Sequence, residues 1–196
     1  MVGKNHTKIK RNMAQNLIGE KNSMDLSEIK RILRGKWEFN INQNKLICKQ
    51  KETHYIFINK NNEVFQQIIS LLTTKGIPNP ELQKNIPQPK IEVPLETFHR
   101  VMRASMSVYD SMIEICETPQ GLICKSEHIR FKLNDYKYSE PTKSVRIDPQ
   151  IVYTVSRSFR TRERILTRIK LTENEAIMEL EFPWVNLILT VPNTPK

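Results

Sequence analysis

The chain has 196 residues, 31 basic and 21 acidic, for a net charge of +10. At about 100–200 residues per domain that allows one ordinary domain or two small ones, and 38% hydrophobic residues exclude a fully disordered polymer. Eleven prolines argue against one long helical bundle, and no run approaches the roughly 18 apolar residues of a membrane-spanning helix.

Residues 1–22 are polar, basic and without period, which predicts a disordered tail. A helix is predicted from Asp25. Asp25-Leu26-Ser27-Glu28 has capping-box spacing, Leu26, Ile29, Ile32 and Leu33 share one face, and Gly35 is the stop. Trp37 to Ile41 alternates as a strand, Asn42 to Asn44 makes a turn, and Leu46 to Cys48 continues the hairpin. His54 to Ile58 reads as a third strand. The stretch from Val64 to Leu72 fits a helical turn or a short buried strand, and periodicity does not arbitrate. Residues 73–90 hold four prolines in eighteen positions and read as an extended connector.

From Ile91 the pattern sharpens. Ile91 to Val93 is a short strand, and Pro94 and Glu96 open a helix to about Ser107 with Leu95, Phe98, Val101, Met102 and Met106 at core spacing. Strands follow at Met112–Cys116, Leu122–Cys124 and Ile129–Leu133. Ser144 to Ile147 is a strand, and Asp148-Pro149 opens a helix to about Phe159. Three strands, within 165–171, 176–182 and 185–191, close the chain.

One unit therefore appears twice: strand, helix, three strands. Residues 25–59 supply most of a third copy, so the chain carries an internal repeat of about 50 residues in pattern, with little identity. Pairing two such units predicts an α+β architecture with antiparallel sheets and the helices on one face.

Charge points to the partner. Residues 1–36 carry nine basic and three acidic side chains, and residues 157–170 carry six basic against Glu163 alone. Such clusters suggest a polyanion, most often nucleic acid; the plain alternative is solubility or a Lys/Asn-rich composition. No chemistry competes with that reading. The five glycines are isolated, so no phosphate-cradling loop is present, and the four histidines form no metal-ligand spacing. Nothing recommends a catalytic site, a metal or a cofactor. Cys48, Cys116 and Cys124 are odd in number and form no Cys-x-x-Cys pair. They read as buried thiols in a reducing interior, and the basic N-terminus lacks the apolar core of a secretory signal.

Tandem strand-helix-three-strand units are the build of sliding DNA clamps, and some letters match as well. Val93-Pro-Leu-Glu-Thr-Phe98, Ser107 to Ile115 and Thr118-Pro-Gln-Gly-Leu122 resemble the clamp pattern of helix opening, strand and hairpin. Trp184 to Pro192 resembles the final clamp strand with its proline-bearing tail. Within the family the chain looks most similar to the Hus-type subunit of the heterotrimeric DNA-damage checkpoint clamp. Residues 23–72 resemble the second half of that family's N-terminal domain, 73–90 a connector, and 91–193 the whole C-terminal domain. The first unit of the N-terminal domain has no counterpart, which predicts an apolar face and sheet edges left uncovered.

The resemblance implies a non-enzymatic nuclear subunit that encircles duplex DNA with two related clamp subunits, is placed by a clamp loader, and serves damage response and repair. A stand-alone nucleic-acid-binding or assembly protein with a clamp-like domain and no ring is the alternative. Clamp helices offer Lys and Arg to phosphates, so the candidate DNA contacts are the outer helix faces: Lys30 and Arg34, Arg100 and Arg103, Arg157 and Arg160. A solvated helix face is the ordinary reading of each. Ile129, Phe131 and Leu133 lie on the strand whose edge pairs with a neighbouring subunit in clamps, and they are the candidate interface.

Overall fold

The structure is a computed structural model that describes residues 26–135, 143–159 and 162–195. The expected tail, Asp25 and the loop before Ser144 lie largely or wholly outside them. Strands β1 (Glu38–Asn42), β2 (Lys45–Gln50) and β3 (Thr53–Asn59) form an antiparallel meander. The helix ahead of it, α1 (Leu26–Ile29), has four residues and is shorter than the capping box predicts. Turns then carry the chain to Gly35, whose φ of +83° reverses its direction. The apolar spacing keeps its purpose, because Ile29, Ile32 and Leu33 are all buried.

The ambiguous stretch after β3 is helical. Helix α2 (Asn62–Thr73) starts at Asn61, whose side-chain oxygen accepts from the Val64 amide at 3.3 Å and satisfies an otherwise orphaned donor. Phe65, Ile68 and Leu72 turn inward, and the Trp37 indole donates to the Leu72 carbonyl at 3.2 Å. Together α1 and α2 cover the apolar face of the meander. The expectation of a bare face is thereby corrected: the apolar period of 64–72 serves as the missing lid. A two-residue strand, β4 (Ile77–Pro78), borders β1 in parallel.

The rest of the chain builds the two complete units. The first is β5 (Ile91–Pro94), α3 (Leu95–Ser107), β6 (Ile113–Thr118), β7 (Gly121–Lys125) and β8 (Arg130–Asn134). The second is β9 (Ser144–Ile147), α4 (Pro149–Ser158), a 3-10 turn at Arg162–Arg164, β10 (Leu166–Leu171), β11 (Glu175–Glu181) and β12 (Val185–Pro192). Asp148 caps α4 by accepting from the Gln150 amide at 2.9 Å, with Pro149 in the first turn.

The units exchange their opening strands: β5 pairs with β10, and β9 pairs with β6. Neither unit completes its sheet alone, so the two form one folding body. The result is an eight-stranded sheet, β4-β1-β2-β3-β12-β11-β10-β5, and a four-stranded sheet, β8-β7-β6-β9. The seam β3–β12 runs antiparallel from Asn59 opposite Val185 to His54 opposite Thr190 and fuses the N-terminal meander to the last unit. A single core continues across it, from Leu46, Tyr55 and Phe57 to Leu187, Phe98 and Val152.

Side chains alternate across a strand, so Ile47, Ile56, Ile177 and Ile188 point to the opposite face of the large sheet. The proline-rich connector covers them. Leu82 and Ile86 pack on these isoleucines, Asn40 Nδ2 donates to the Leu82 carbonyl at 2.9 Å, and Lys84 Nζ meets Glu175 Oε2 at 2.6 Å. The connector is thus a strap fastened to the sheet.

Candidate nucleic-acid interface

Helices α3 and α4 lie side by side on the core. Phe98, Val101 and Met102 of α3 and Val152 and Val155 of α4 are buried, which follows from their 3-4 spacing. Between the helices, His99 Nδ1 lies 3.0 Å from Ser156 Oγ, and the Tyr153 ring stacks on the imidazole with centroids 5.3 Å apart. Burial first, and then the Arg162 guanidinium, push the His99 pKa below its ordinary value.

On the outward side of this helix pair, Arg100, Arg103 and Arg157 are exposed. Arg100 shares Glu96 at 3.4 Å while its side chain stays 76% exposed. Arg103 and Arg157 have no carboxylate within ion-pair distance among the described residues. Glu96 is held mainly by Arg162, Nε to Oε2 at 3.0 Å. Burial alone would raise the Glu96 carboxyl, but the Arg162 and Arg100 contacts overcome it and hold it below the usual carboxylate range.

The opposite face behaves differently. Arg168 Nη1 lies 2.8 Å from Glu181 and 3.8 Å from Glu179, and its Nε is 3.6 Å from Glu92. Lys60 meets Glu181 at 3.5 Å, and Lys84 meets Glu175. On the outer sheet Lys60, Lys84 and Arg168 are neutralised locally, whereas Arg103 and Arg157 on the helix face are left to the solvent. A polyanion gains from the second arrangement and not from the first, because only unpaired cations exchange condensed counterions for phosphates.

The predicted contacts therefore divide. Arg100, Arg103 and Arg157 lie on one face, as their spacing implied. Lys30 and Arg34 are exposed but sit in turns after the short α1, so the expected stripe on a third helix is not formed. They border instead a groove between α1 and α2. Arg160 lies outside the described residues. Arg162 and Arg168 serve ion pairs, with Glu96 and with Glu181.

The candidate interface divides as well. Among the described residues strand β8 is the edge of the four-stranded sheet and pairs with β7 alone. Phe131 is 41% exposed there, and Ile129 is half-buried against the core. Leu133 is corrected: it is 6% exposed and belongs to the chain's own core. The register shifts so that Ile123 faces Lys132 while Leu122 faces Asn134, which leaves Leu133 as the extra residue of a bulge. Strict alternation could not show that.

One cluster has the composition of a hydrolytic site. Asp110 accepts from the Ser126 hydroxyl and lies 2.6 Å, at Oδ1, from His128 Nδ1. The serine hydroxyl is committed to the carboxylate, not to the imidazole, so no base is placed to activate it. The three residues clasp the β7–β8 turn to the loop after α3. The cysteines are equally inert: burial pushes the Cys48 thiol up to about 12 and Cys116 to about 11. Among the described residues no three His, Cys, Asp or Glu gather as a metal site, and no helix is long and apolar enough to cross a membrane.

No protein-family model and no curated protein sequence matches the chain. Solved structures do. The β subunit of DNA polymerase III from Borrelia burgdorferi superposes with a TM-score of 0.53 at 12% identity, over 91% of this chain and 59% of that one. The fold is that of the sliding clamps. The PCNA of Thermococcus kodakaraensis gives a TM-score of 0.47 at 10% identity over 78% of this chain and 67% of that one. The PCNA of A. fulgidus, with the C-terminal region of FEN-1 bound, gives 0.47 at 10% over 80% and 67%. At such identities the likeness is one of fold, and the chain spans 59% of the Borrelia subunit's length.

Proposed function

We propose that the chain is a non-catalytic sliding-clamp subunit of the checkpoint type, which encircles duplex DNA in the nucleus during damage response and repair. The observation that carries this reading is the division of charge across the clamp fold. Arg100, Arg103 and Arg157 stand exposed on the α3–α4 face, while Lys84 and Arg168 on the outer side are held by Glu175 and by Glu92, Glu179 and Glu181. Phosphate neutralisation without base reading gives binding that weakens steeply with salt and lets a closed ring slide.

A ring needs further edges. The β8 strand offers backbone groups and the Phe131 side chain to a related subunit, by the same antiparallel addition that joins β3 to β12 within the chain. Two related clamp subunits and a loader that opens and places the ring are the partners of this reading, with repair or checkpoint proteins recruited to it.

The test is topological. Co-expressed with its candidate subunits and loaded, the complex stays on nicked circular DNA through a gel-filtration column and leaves the same DNA after linearisation. Equal retention on both forms, by a protein that purifies as a monomer, would replace the ring by the stand-alone nucleic-acid-binding reading.

A further inference from the structure

We propose that the groove between α1 and α2 is a docking site for an acidic, amphipathic segment of a partner protein. It encloses about 980 Å³, and Leu33, Trp37 and Leu71 contribute apolar surface to its lining. Lys30, Arg34 and Lys75 also line it, and among the described residues no aspartate or glutamate does. None of these three cations has a carboxylate within ion-pair distance among the described residues. That contrasts with Lys60, Lys84 and Arg168 on the outer sheet, each of which has one.

An apolar floor with an unneutralised cationic rim asks for a ligand with both apolar side chains and carboxylates. The chain's own N-terminal segment is mismatched, since residues 1–25 carry five basic and two acidic side chains. A second copy, of net charge +10, is mismatched too. Duplex DNA would satisfy the rim but offers hydrated phosphates to the leucines and the tryptophan. A partner segment with leucine or phenylalanine at i, i+3, i+4 and i+7 and glutamates between them satisfies both halves of the site. This inference does not depend on the ring.

The probe is a fluorescein-labelled helical peptide of about 18 residues, with Leu and Phe on one face and Glu on the other, titrated into the full chain. Its control replaces Leu and Phe by Ala. Anisotropy is expected to show the amphipathic peptide binding at least about tenfold more tightly than the control. The triple variant Lys30→Glu, Arg34→Glu, Lys75→Glu is expected to weaken it by about tenfold or more. Ser70→Trp, which fills the groove from the exposed side of α2, is expected to do the same with the thermal midpoint unchanged. Absent binding, equal binding of the alanine control, or binding indifferent to Ser70→Trp overturns the proposal. So does a 30-bp duplex that displaces the peptide and is itself lost in Ser70→Trp, since the groove would then belong to nucleic acid.

Discussion

His99 Nδ1 and Ser156 Oγ lie 3.0 Å apart, and this contact joins α3 to α4 at the level of the cationic face. The Ser156 hydroxyl donates to the Tyr153 carbonyl at 3.0 Å, so its lone pairs face the imidazole and the ring proton sits on Nδ1. Tyr153 covers one face of the ring. Protonating the second nitrogen would place a further cation next to Arg162 and Arg103, both of which already push the His99 pKa down. The neutral histidine is therefore part of what allows arginines to crowd one surface.

This seam predicts an acid-sensitive fold. Burial, with Lys84 and Lys49 nearby, lowers the His54 pKa as well. A histidine whose folded pKa lies below its unfolded value of about 6.5 binds protons better when unfolded. Its contribution is complete above that value and is lost as pH falls through it. The urea midpoint is expected to drop between about pH 7 and pH 5. His99→Asn keeps a donor near Nδ1 and removes the titration, so it should flatten part of that decline. His128 works in the opposite sense: its bond to Asp110 raises its pKa, and its contribution fades as pH rises above about 6.5. A His99→Asn profile parallel to the parent would remove the seam from this account.

The strap makes a separate prediction. Leu82 is 7% exposed over the outer isoleucines, and Lys84 Nζ reaches Glu175 Oε2 at 2.6 Å with both side chains mostly covered. Leu82→Ala should cost about 2 kcal/mol, near the low end for a buried leucine because the strap can settle into the space. A double-mutant cycle of Lys84→Met with Glu175→Gln should show a coupling of about 1 kcal/mol, above the median for an exposed pair. Native-state hydrogen exchange at Leu82 reads both, and protection unchanged by Leu82→Ala would mean that the polar tethers alone fasten the strap.

Much of this architecture was legible in the residues. The alternation of β1 to β3, the i, i+3, i+7 spacing of Leu95, Phe98 and Met102, and the Asp148-Pro149 start of α4 are local signals, and each produced the expected element. What escaped depends on distant partners. Whether Val64 to Leu72 becomes a helix is decided by the meander it covers, and Trp37, thirty-five positions from Leu72, supplies one of its bonds. The exchange of β5 and β9 leaves no trace in either strand. The site followed the same rule: exposed arginines at helical spacing could be read, whereas the bulge at Leu133 and the turns that displace Lys30 and Arg34 could not.

The β7–β8 hairpin tests the edge. Gly121 has φ +129°, and a Cβ there would fall inside the van der Waals distance of the Asn134 carbonyl and 3.1 Å from Lys132 Cε. Gly121→Ala is therefore strained twice, by backbone angle and by crowding across the ladder. It should displace β8 with a loss of about 2–3 kcal/mol in overall stability. Phe131→Asp, on an exposed side chain, should leave the thermal midpoint within a few degrees and abolish association with candidate subunits. If Phe131→Asp assembles normally, the β8 edge is not the contact.

The last prediction concerns the helix face itself. Each phosphate contact contributes about 0.9 to the slope of log K against log salt on duplex DNA. Arg100, Arg103 and Arg157 are exposed, and the latter two have no carboxylate partner among the described residues. Replacing all three by glutamine should flatten the slope by up to about 3 and weaken binding at low salt alike on unrelated sequences, since none of them reads bases. Arg168→Gln is the control, because that guanidinium is already held by Glu181 and its neighbours. It should leave the slope as it is while lowering stability slightly. Arg103 sits between the two effects: it faces solvent and also bears on His99, so Arg103→Gln alone should flatten the salt slope by about 1 and raise the His99 pKa, measured by NMR titration. A slope that moves with Arg168 and not with the helix arginines would place the DNA on the outer sheet.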